Sequence, residues 1–339
     1  MKDNLIWNEK YRPHSIYKII NQDIKNIIQA NNLENLPHLL LYGPSGTGKT
    51  TTALTLCHHL YNNNNKYYNI YNKIINERVL ELNASDERGI KTVREKIKLF
   101  ASQNINKYEN MVSFKIIILD EADAMTNDSQ FALRRIIEQY SYISRFILIC
   151  NYVTKIISPL SSRFYKLKFN SFDKENIINI ITNIINNENI NYNHDELNDI
   201  CDIIINYTDS DVRKIITLLQ RINFVIKINN NNMMNIDIIK NIIGIIPDDI
   251  FNNLYNDLFI NSNHNNISIL IKDILNNGYS YNELLKKLSN CLIVENRLSE
   301  KKKSLIYLKI SEICYNLSNG SDEYIQLITL FSYIKIINL

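Results

Sequence analysis

One short segment of the sequence has residue types that could hold phosphate groups. Residues 43–50 read GPSGTGKT, which fits the pattern G-x-x-x-x-G-K-[ST]. Glycines with this spacing let the backbone curl until successive N–H groups face one point, and a helix beginning near Lys49 adds the positive end of its dipole there. We therefore predict a phosphate site that is built by Gly43, Pro44, Ser45, Gly46, Thr47, Gly48, Lys49, Thr50 and Thr51.

The last two residues of this segment can do different chemistry. Lys49 is expected to reach the β- and γ-phosphates of ATP, and the hydroxyl of Thr50 is expected to bind the accompanying Mg²⁺. The alternative is a glycine-rich turn that binds nothing. An apolar run precedes the segment and a helical pattern follows it, and this context favours the phosphate site.

Two adjacent carboxylates follow a second apolar run. Asp120 and Glu121 come directly after the residues IIIL at 116–119. Asp120 is predicted to hold Mg²⁺ directly or through water, and Glu121 to polarise the attacking water. Asn151 ends another predicted strand, where its amide could orient that water or touch the γ-phosphate. The alternatives are a surface acidic turn for the carboxylates and an ordinary turn residue for Asn151.

Composition narrows the class of protein. The chain has 339 residues and a formal net charge of +3, so it is not, as a whole, a strongly basic nucleic-acid binder. None of its five cysteines is paired at Cys-x-x-Cys spacing, which argues against a zinc site and for a reducing intracellular compartment. We expect no signal peptide and no membrane span.

Alternating strand and helix patterns run through the first half of the chain. Such alternation indicates a parallel sheet covered by helices. After about residue 169 only helical periodicity is found, so no further strand is expected, and the asparagine run at 229–232 is interpreted as a linker. The Asn/Tyr-rich stretch at 62–76 is interpreted as a surface insertion without a role of its own.

This pattern predicts an α/β fold followed by two helical parts. The predicted strands lie at 37–42, 78–82, 114–119 and 145–150. The predicted domains are an α/β nucleotide-binding domain at 1–169, a small helical lid domain at 170–229 and an all-helical C-terminal domain at 235–339.

A basic stripe lies along the helix predicted at 89–100. Lys91 and Arg94 fall on one face with Arg88 at its entrance, while apolar residues occupy another face. A stripe of this kind suits sequence-independent contact with DNA phosphates. The alternative is a solvated basic face, which is the usual fate of such stripes.

Six motifs together resemble the small subunits of replication factor C, which are AAA+ ATPases. The resemblance covers nearly the whole chain and is strongest to the class called subunit 4 in mammals and subunit 2 in yeast. The motifs are WNEKYRP at 7–13, GPSGTGKT at 43–50, LELNASDERGI at 80–90, ILDEADAMT at 118–126, ALRR at 132–135 and LICNYVTKIISPLSSR at 148–163.

The resemblance implies a nuclear ATPase that acts within a hetero-pentameric ring. Such a ring opens the sliding clamp, proliferating cell nuclear antigen (PCNA), and places it on primer–template DNA. By the same resemblance, Arg163 would serve the ATP of the neighbouring subunit in trans, and Arg213 would contact the chain's own ATP from the lid. Asn8 and Arg12 would lie against the nucleotide. The C-terminal domain would be the collar through which subunits assemble.

Three residues depart from the family pattern. Ser45 stands where the family usually has a second proline, Phe164 replaces the cysteine of the Ser-Arg-Cys motif, and Ser210 replaces the lid glycine. Two other functions stay open: a ring subunit that binds nucleotide without hydrolysing it, and an independent AAA+ DNA remodeller. Intact Lys49, Asp120 and Glu121 disfavour the first of these.

Overall fold

The computed structural model describes most of the chain, in two compact units. One unit comprises residues 1–190 and 201–223, and the other comprises residues 191–200 and 224–339. The predicted division into three domains stays a prediction. The described residues are 5–13, 35–61, 71–85, 90–103, 112–193, 195–228, 233–259, 264–295 and 297–338.

A five-stranded parallel sheet forms the core of the first unit, in the order β2-β3-β4-β1-β5. This confirms the predicted α/β fold. The strands are β1 (Leu39–Tyr42), β2 (Val79–Asn83), β3 (Lys115–Asp120), β4 (Ser144–Cys150) and β5 (Tyr165–Lys168).

The fifth strand was not predicted from the sequence. Three of its four residues are exposed and only Leu167 is buried, so β5 has no continuous apolar run. The three central strands differ, since both of their faces are covered and their residues are almost all buried. Because all the strands are parallel, their carboxyl ends meet at one edge, where open sheets of this kind bind ligands.

Helices flank this sheet. Their bounds are α1 (Trp7–Lys10), α2 (Lys49–Tyr61), α3 (Tyr71–Arg78), α4 (Ile90–Ser102), α5 (Asn127–Tyr140) and α6 (Ser158–Ser161). Helix α5 begins after Thr126, whose hydroxyl accepts a hydrogen bond from the backbone of Ser129. One of its faces is buried in the core, through Leu133, Ile136, Ile137 and Tyr140.

The interpretation of residues 62–76 as a surface insertion is wrong for its last part. Residues from Tyr71 onward belong to α3, and Ile74 is fully buried in the core beside the sheet. The asparagines and tyrosines of this stretch obscure the apolar periodicity that would indicate a short helix. Residues 62–70 lie outside the described part of the chain, as does the predicted linker at 229–232.

Three longer helices follow the sheet, namely α7 (Lys174–Asn187), α8 (Leu197–Thr208) and α9 (Val212–Ile228). Each buries an isoleucine-rich face. The expectation of no strand after residue 169 is wrong, because β6 (Asn191–Tyr192) pairs in parallel with β7 (Met233–Met234). Strands of two residues are too short to show a two-residue alternation.

The C-terminal part is helical and has its own core. Its helices are α10 (Ile236–Ile243), α11 (Asp248–Phe259), α12 (His264–Asn276), α13 (Tyr281–Val294), α14 (Glu300–Ser318) and α15 (Glu323–Asn338). Leucine and isoleucine side chains from α11 to α15 form one buried cluster around Phe251 and Phe331. Within the described ranges, no helix has the length and apolar character needed to cross a bilayer.

Candidate nucleotide site

The loop between β1 and α2 has a backbone that requires glycine. Gly43, Gly46 and Gly48 have φ values of +146°, +68° and +84°. A Cβ atom at Gly43 would lie 2.0 Å from the carbonyl oxygen of Phe169, so the loop passes against β5's end only because this residue lacks a side chain. We call residues 43–50 the phosphate loop.

Lys49 is buried at the centre of the phosphate loop, with only 7% of its surface exposed. Its Nζ donates hydrogen bonds to the carbonyl oxygens of Gly43 at 2.8 Å and Pro44 at 2.6 Å, and to Oδ1 of Asn151 at 3.0 Å. The structure therefore brings together Lys49 and Asn151, which lie far apart in the sequence. Burial is the main cause that lowers the pKa of Lys49.

A hydroxyl and a carboxylate face each other beside the lysine. The Oγ1 of Thr50 donates to Oδ2 of Asp120 at 2.7 Å, while Oδ1 of Asp120 accepts from the backbone N–H of Glu121 at 2.8 Å. Thr50 is the second residue of α2 and Asp120 is the last residue of β3, so these two elements fix the positions of both side chains.

Glu121 has a strained backbone. Its φ of +53° lies in the left-handed region, which costs about 1–2 kcal/mol for a residue other than glycine. Its side chain is exposed at the carboxyl edge of the sheet. Strain of this kind persists only where the surrounding structure enforces it, and it concentrates at functional sites. The conformation turns the chain sharply after β3 and directs it into the turn Ala122–Ala124.

Arg213 brings a second cation toward the same place. It is the second residue of α9. Burial lowers the pKa of Lys49 most, the charges of Asp120, Cys150 and Asp123 act to raise it, and the charge of Arg213 acts to lower it further. Asp211, which precedes α9, contacts the phosphate loop through Ser45, whose Oγ lies 2.9 Å from Asp211 Oδ2. No role was predicted for Asp211 from the sequence. Its position as an acidic residue just before an apolar helical pattern was the available signal.

These residues fit a nucleotide with Mg²⁺. Two neighbouring cations and the glycine loop suit an anion, and the Thr50–Asp120 pair offers oxygen ligands. Mg²⁺ is usually held by one or two carboxylates together with substrate phosphates, and not by a full protein cage. The described residues contain no group of three or more His, Cys, Asp or Glu side chains that could hold a metal.

Arg163 belongs to a separate ion-pair cluster. It follows α6, and its guanidinium contacts the carboxylate of Glu138 and the carbonyl of Pro159. Arg134 donates to the same carboxylate at 3.1 Å. The hydrogen bond from Arg134, followed by the charges of both arginines, lowers the pKa of Glu138. None of these contacts joins Arg163 to the phosphate loop.

Phe164, the residue that departs from the Ser-Arg-Cys pattern, is anchored in the core. It is 7% exposed and belongs to the apolar cluster on one face of the sheet. Its ring lies 5.7 Å from that of His38, the residue before β1. The larger side chain is therefore accommodated by packing, and it fixes the backbone directly after Arg163.

The N-terminal residues contact the end of α7 and the helix α9. Asn8 donates to Oγ1 of Thr217 at 3.0 Å, and Lys10 donates to Glu188 at 2.6 Å. Arg12 pairs with Glu9 at 3.2 Å. The contacts of Asn8 and Arg12 with a nucleotide stay a prediction.

The basic helix can be placed only in part. Its backbone forms α4. Ile97 is buried and Lys98 is exposed, which agrees with a helix that has an apolar face and a basic face. Lys91 and Arg94 lie on α4 but their side chains are outside the described part of the structure. Arg88 lies wholly outside the described residues.

Sequence comparisons give two matches to family models. The model of the "ATPase family associated with various cellular activities (AAA)" matches residues 39–171. The model of the "Replication factor C C-terminal domain" matches residues 237–333. Among solved structures, a mutant of RuvB from Thermotoga maritima has a TM-score of 0.50 at 17% identity, over 82% of this chain and 91% of that chain. This likeness concerns the fold alone.

Curated relatives match over nearly the whole chain. Replication factor C subunit 2 of Schizosaccharomyces pombe is 38% identical over 99% of this chain and 95% of the relative. Replication factor C subunit 4 of Homo sapiens is 36% identical over 96% of this chain and 86% of the relative. The replication factor C small subunit of Aeropyrum pernix is 35% identical over 98% and 97%. The chain therefore belongs to the replication factor C family of clamp-loader subunits and carries its AAA ATPase domain.

Proposed function

We propose that this chain binds ATP with Mg²⁺ at the phosphate loop and hydrolyses it within a hetero-pentameric clamp loader. The observation that carries this proposal is the convergence of four side chains at the carboxyl ends of β1, β3 and β4, where Lys49 and Asn151 share one hydrogen bond and Thr50 and Asp120 share another. Glu121 follows directly, in its strained conformation.

Each residue has a separate role in this proposal. The phosphate loop and Lys49 hold the phosphates, and Thr50 and Asp120 hold Mg²⁺, which when bound neutralises charge on the phosphate oxygens. Glu121 accepts a hydrogen bond from the attacking water and polarises it. Asn151 orients that water or the γ-phosphate, and Arg213 adds positive charge from the lid.

Replacement of Lys49 by alanine tests the site most directly. The Lys49→Ala chain is expected to lose tight ATP binding, because the change removes the buried cation that faces the phosphates. Equilibrium titration with a fluorescent ATP analogue measures the effect, and we expect affinity to fall by about ten- to a hundredfold, since a charged contact of this kind is worth about 1.5–3 kcal/mol.

Two further variants interpret this result. Lys166→Ala removes an exposed lysine from β5 and should bind as tightly as the wild type. Thr50→Ala should weaken binding only when Mg²⁺ is present. If the Lys49→Ala chain is folded and binds the analogue with wild-type affinity, the phosphate site is wrongly assigned.

The proposed partners are the other replication factor C subunits, the sliding clamp PCNA and primer–template DNA. Membership of the family and the match to its C-terminal domain support assembly into a multi-subunit complex. ATP bound by the ring would then allow the clamp to be opened and placed on DNA. Similarity to the replication factor C subunits of eukaryotes supports a nuclear location.

A non-hydrolysing scaffold subunit of the same ring is the second candidate. It would share the fold, the C-terminal helices and nucleotide binding. The strained backbone of Glu121 favours the hydrolysing subunit, because backbone strain of this kind concentrates at functional sites. Full-length similarity to replication factor C subunits argues against an independent remodeller.

Contact between α4 and DNA is predicted to follow the phosphate backbone. Changing both Arg88 and Arg94 to glutamine should weaken DNA binding by the assembled complex about equally for all sequences. It should also reduce the slope of log affinity against log salt by about two units, since each lost phosphate contact removes roughly 0.9.

Fluorescence anisotropy over a range of salt concentrations measures both effects. The Lys166→Gln complex is the matched control for loss of a positive charge elsewhere. Parallel salt slopes for the wild-type and double-variant complexes would show that the basic stripe is only a solvated face. A loss confined to certain DNA sequences would instead indicate base contacts.

A further inference from the structure

A buried carboxylate joins the phosphate loop to the helix that carries Arg213. Asp211 is only 8% exposed. Its Oδ2 accepts a hydrogen bond from Oγ of Ser45 at 2.9 Å. Its Oδ1 accepts from the backbone N–H groups of Arg213 at 2.9 Å and Lys214 at 3.3 Å. One side chain therefore caps the first turn of α9 and, through its other oxygen, holds the loop.

The loop approaches this carboxylate very closely. A Cβ atom at Gly46 would lie 1.9 Å from Oδ1 of Asp211, so a larger residue at position 46 would push the Asp211 carboxylate out of its present place. Gly46 also has a φ of +68°, which favours glycine for a second reason. The conformation of the phosphate loop and its contact with the start of α9 therefore both depend on Gly46.

The backbone before Asp211 is strained in a way that fixes where α9 begins. Asp209 and Ser210 have φ values of +52° and +62°, and neither is glycine. Two consecutive left-handed residues persist only where contacts on either side enforce them. After these two residues comes the contact of Asp211 with Ser45. Before them comes the buried Thr208, whose hydroxyl donates a hydrogen bond to the carbonyl oxygen of Ile204.

Arg213 is placed by this arrangement. It is two residues beyond Asp211, its backbone N–H is held by the Asp211 carboxylate, and its charge acts on Lys49. A shift of the capped turn away from Ser45 would therefore move Arg213 away from the phosphate loop. The hydroxyl of Ser45 is needed for the contact, and a proline at this position could not supply it.

We propose that Ser45 and Asp211 are positioning residues, which tie the lid helix to the phosphate loop and thereby direct Arg213 at the phosphates of the bound nucleotide. The inference rests on the proposed role of Arg213 in ATP hydrolysis. It assigns a task to the serine that departs from the family pattern.

Single-turnover ATP hydrolysis by the assembled complex, with the other nucleotide sites disabled, tests this inference. Ser45→Ala is expected to slow hydrolysis about tenfold, the effect of losing one hydrogen bond to a charged group. Arg213→Ala is expected to slow it about a hundredfold. The Ser45→Ala/Arg213→Ala complex should be no slower than Arg213→Ala alone, because Ser45 acts only through Arg213. Ser45→Thr keeps the hydroxyl and should recover most of the lost rate.

Four outcomes would overturn the inference. A Ser45→Ala rate equal to the wild-type rate, or a further tenfold loss in the double variant, would show that Ser45 does not act through Arg213. No rescue by Ser45→Thr would show that the hydroxyl is not the acting group. Ser102→Ala, which removes a hydroxyl that donates within its own helix, should leave the rate unchanged. A wild-type site without hydrolysis would overturn the proposed function together with this inference.

Discussion

Replacing Arg163 by alanine is expected to slow ATP hydrolysis at the neighbouring subunit's site by about 10³- to 10⁵-fold, the range found for arginine fingers. The affinity of this chain for its own nucleotide should not change, since Arg163 makes no contact with the phosphate loop in the described structure. A guanidinium can neutralise the charge that develops on the γ-phosphate, and its planar shape suits the phosphate oxygens.

The environment of Arg163 is compatible with this task. Its partner Glu138 is exposed, and exposed ion pairs contribute little to stability. Transferring the guanidinium from Glu138 to a phosphate therefore costs little. The backbone beside it is held firmly, because Phe164 is buried against His38. A fixed backbone with a releasable side chain is what a residue acting across an interface needs.

Hydrolysis with only the neighbour's site competent measures the effect. Arg134→Ala is the matched control, because Arg134 donates to the same carboxylate oxygen of Glu138 and its loss should change the rate little. Unchanged hydrolysis in the Arg163→Ala complex would contradict the trans role. Loss of nucleotide binding by the Arg163→Ala chain itself would instead place Arg163 at its own site.

The sequence predicted the parts of this molecule that local patterns encode. Strands β1, β3 and β4 are short apolar runs because both faces of the sheet are covered. The glycine pattern of residues 43–50 is typical of one loop conformation. Both the phosphate loop and its position after β1 could therefore be predicted. Parallel strands bring their carboxyl ends to one edge, and this suffices to place Asp120 and Asn151 near Lys49.

The features that were missed depend on contacts between distant segments. Strand β5 is polar on most of its length, and its pairing with β1 is decided by the sheet. Helix α3 is stabilised by the burial of Ile74. The Asn/Tyr-rich stretch has no apolar periodicity from which this burial could be predicted. The contact of Ser45 with Asp211 joins residues 166 positions apart, so neither residue alone indicates the other.

Glu121→Gln is expected to separate nucleotide binding from hydrolysis. Glutamine has the same size and can adopt the same left-handed backbone, but it cannot accept a proton from water. Loss of a general base lowers rates by about 10²- to 10⁴-fold. ATP affinity should stay at the wild-type level, because the change leaves the Thr50–Asp120 pair and Lys49 untouched. The contact of residue 121 with Asp120 is made by its backbone N–H, which glutamine keeps.

Single-turnover hydrolysis and equilibrium binding, measured on the same assembled complex with its other sites disabled, distinguish the possible results. Asp123→Asn is the matched control, since it removes the next carboxylate along the chain, which accepts from the backbone of Tyr152 at 3.4 Å. Slow turnover with intact binding in Glu121→Gln alone would identify Glu121 as the residue that polarises the water. Equal rates in the wild type and Glu121→Gln would show that another group does so, or that this subunit binds nucleotide without hydrolysing it, and the strain at Glu121 would then need another explanation.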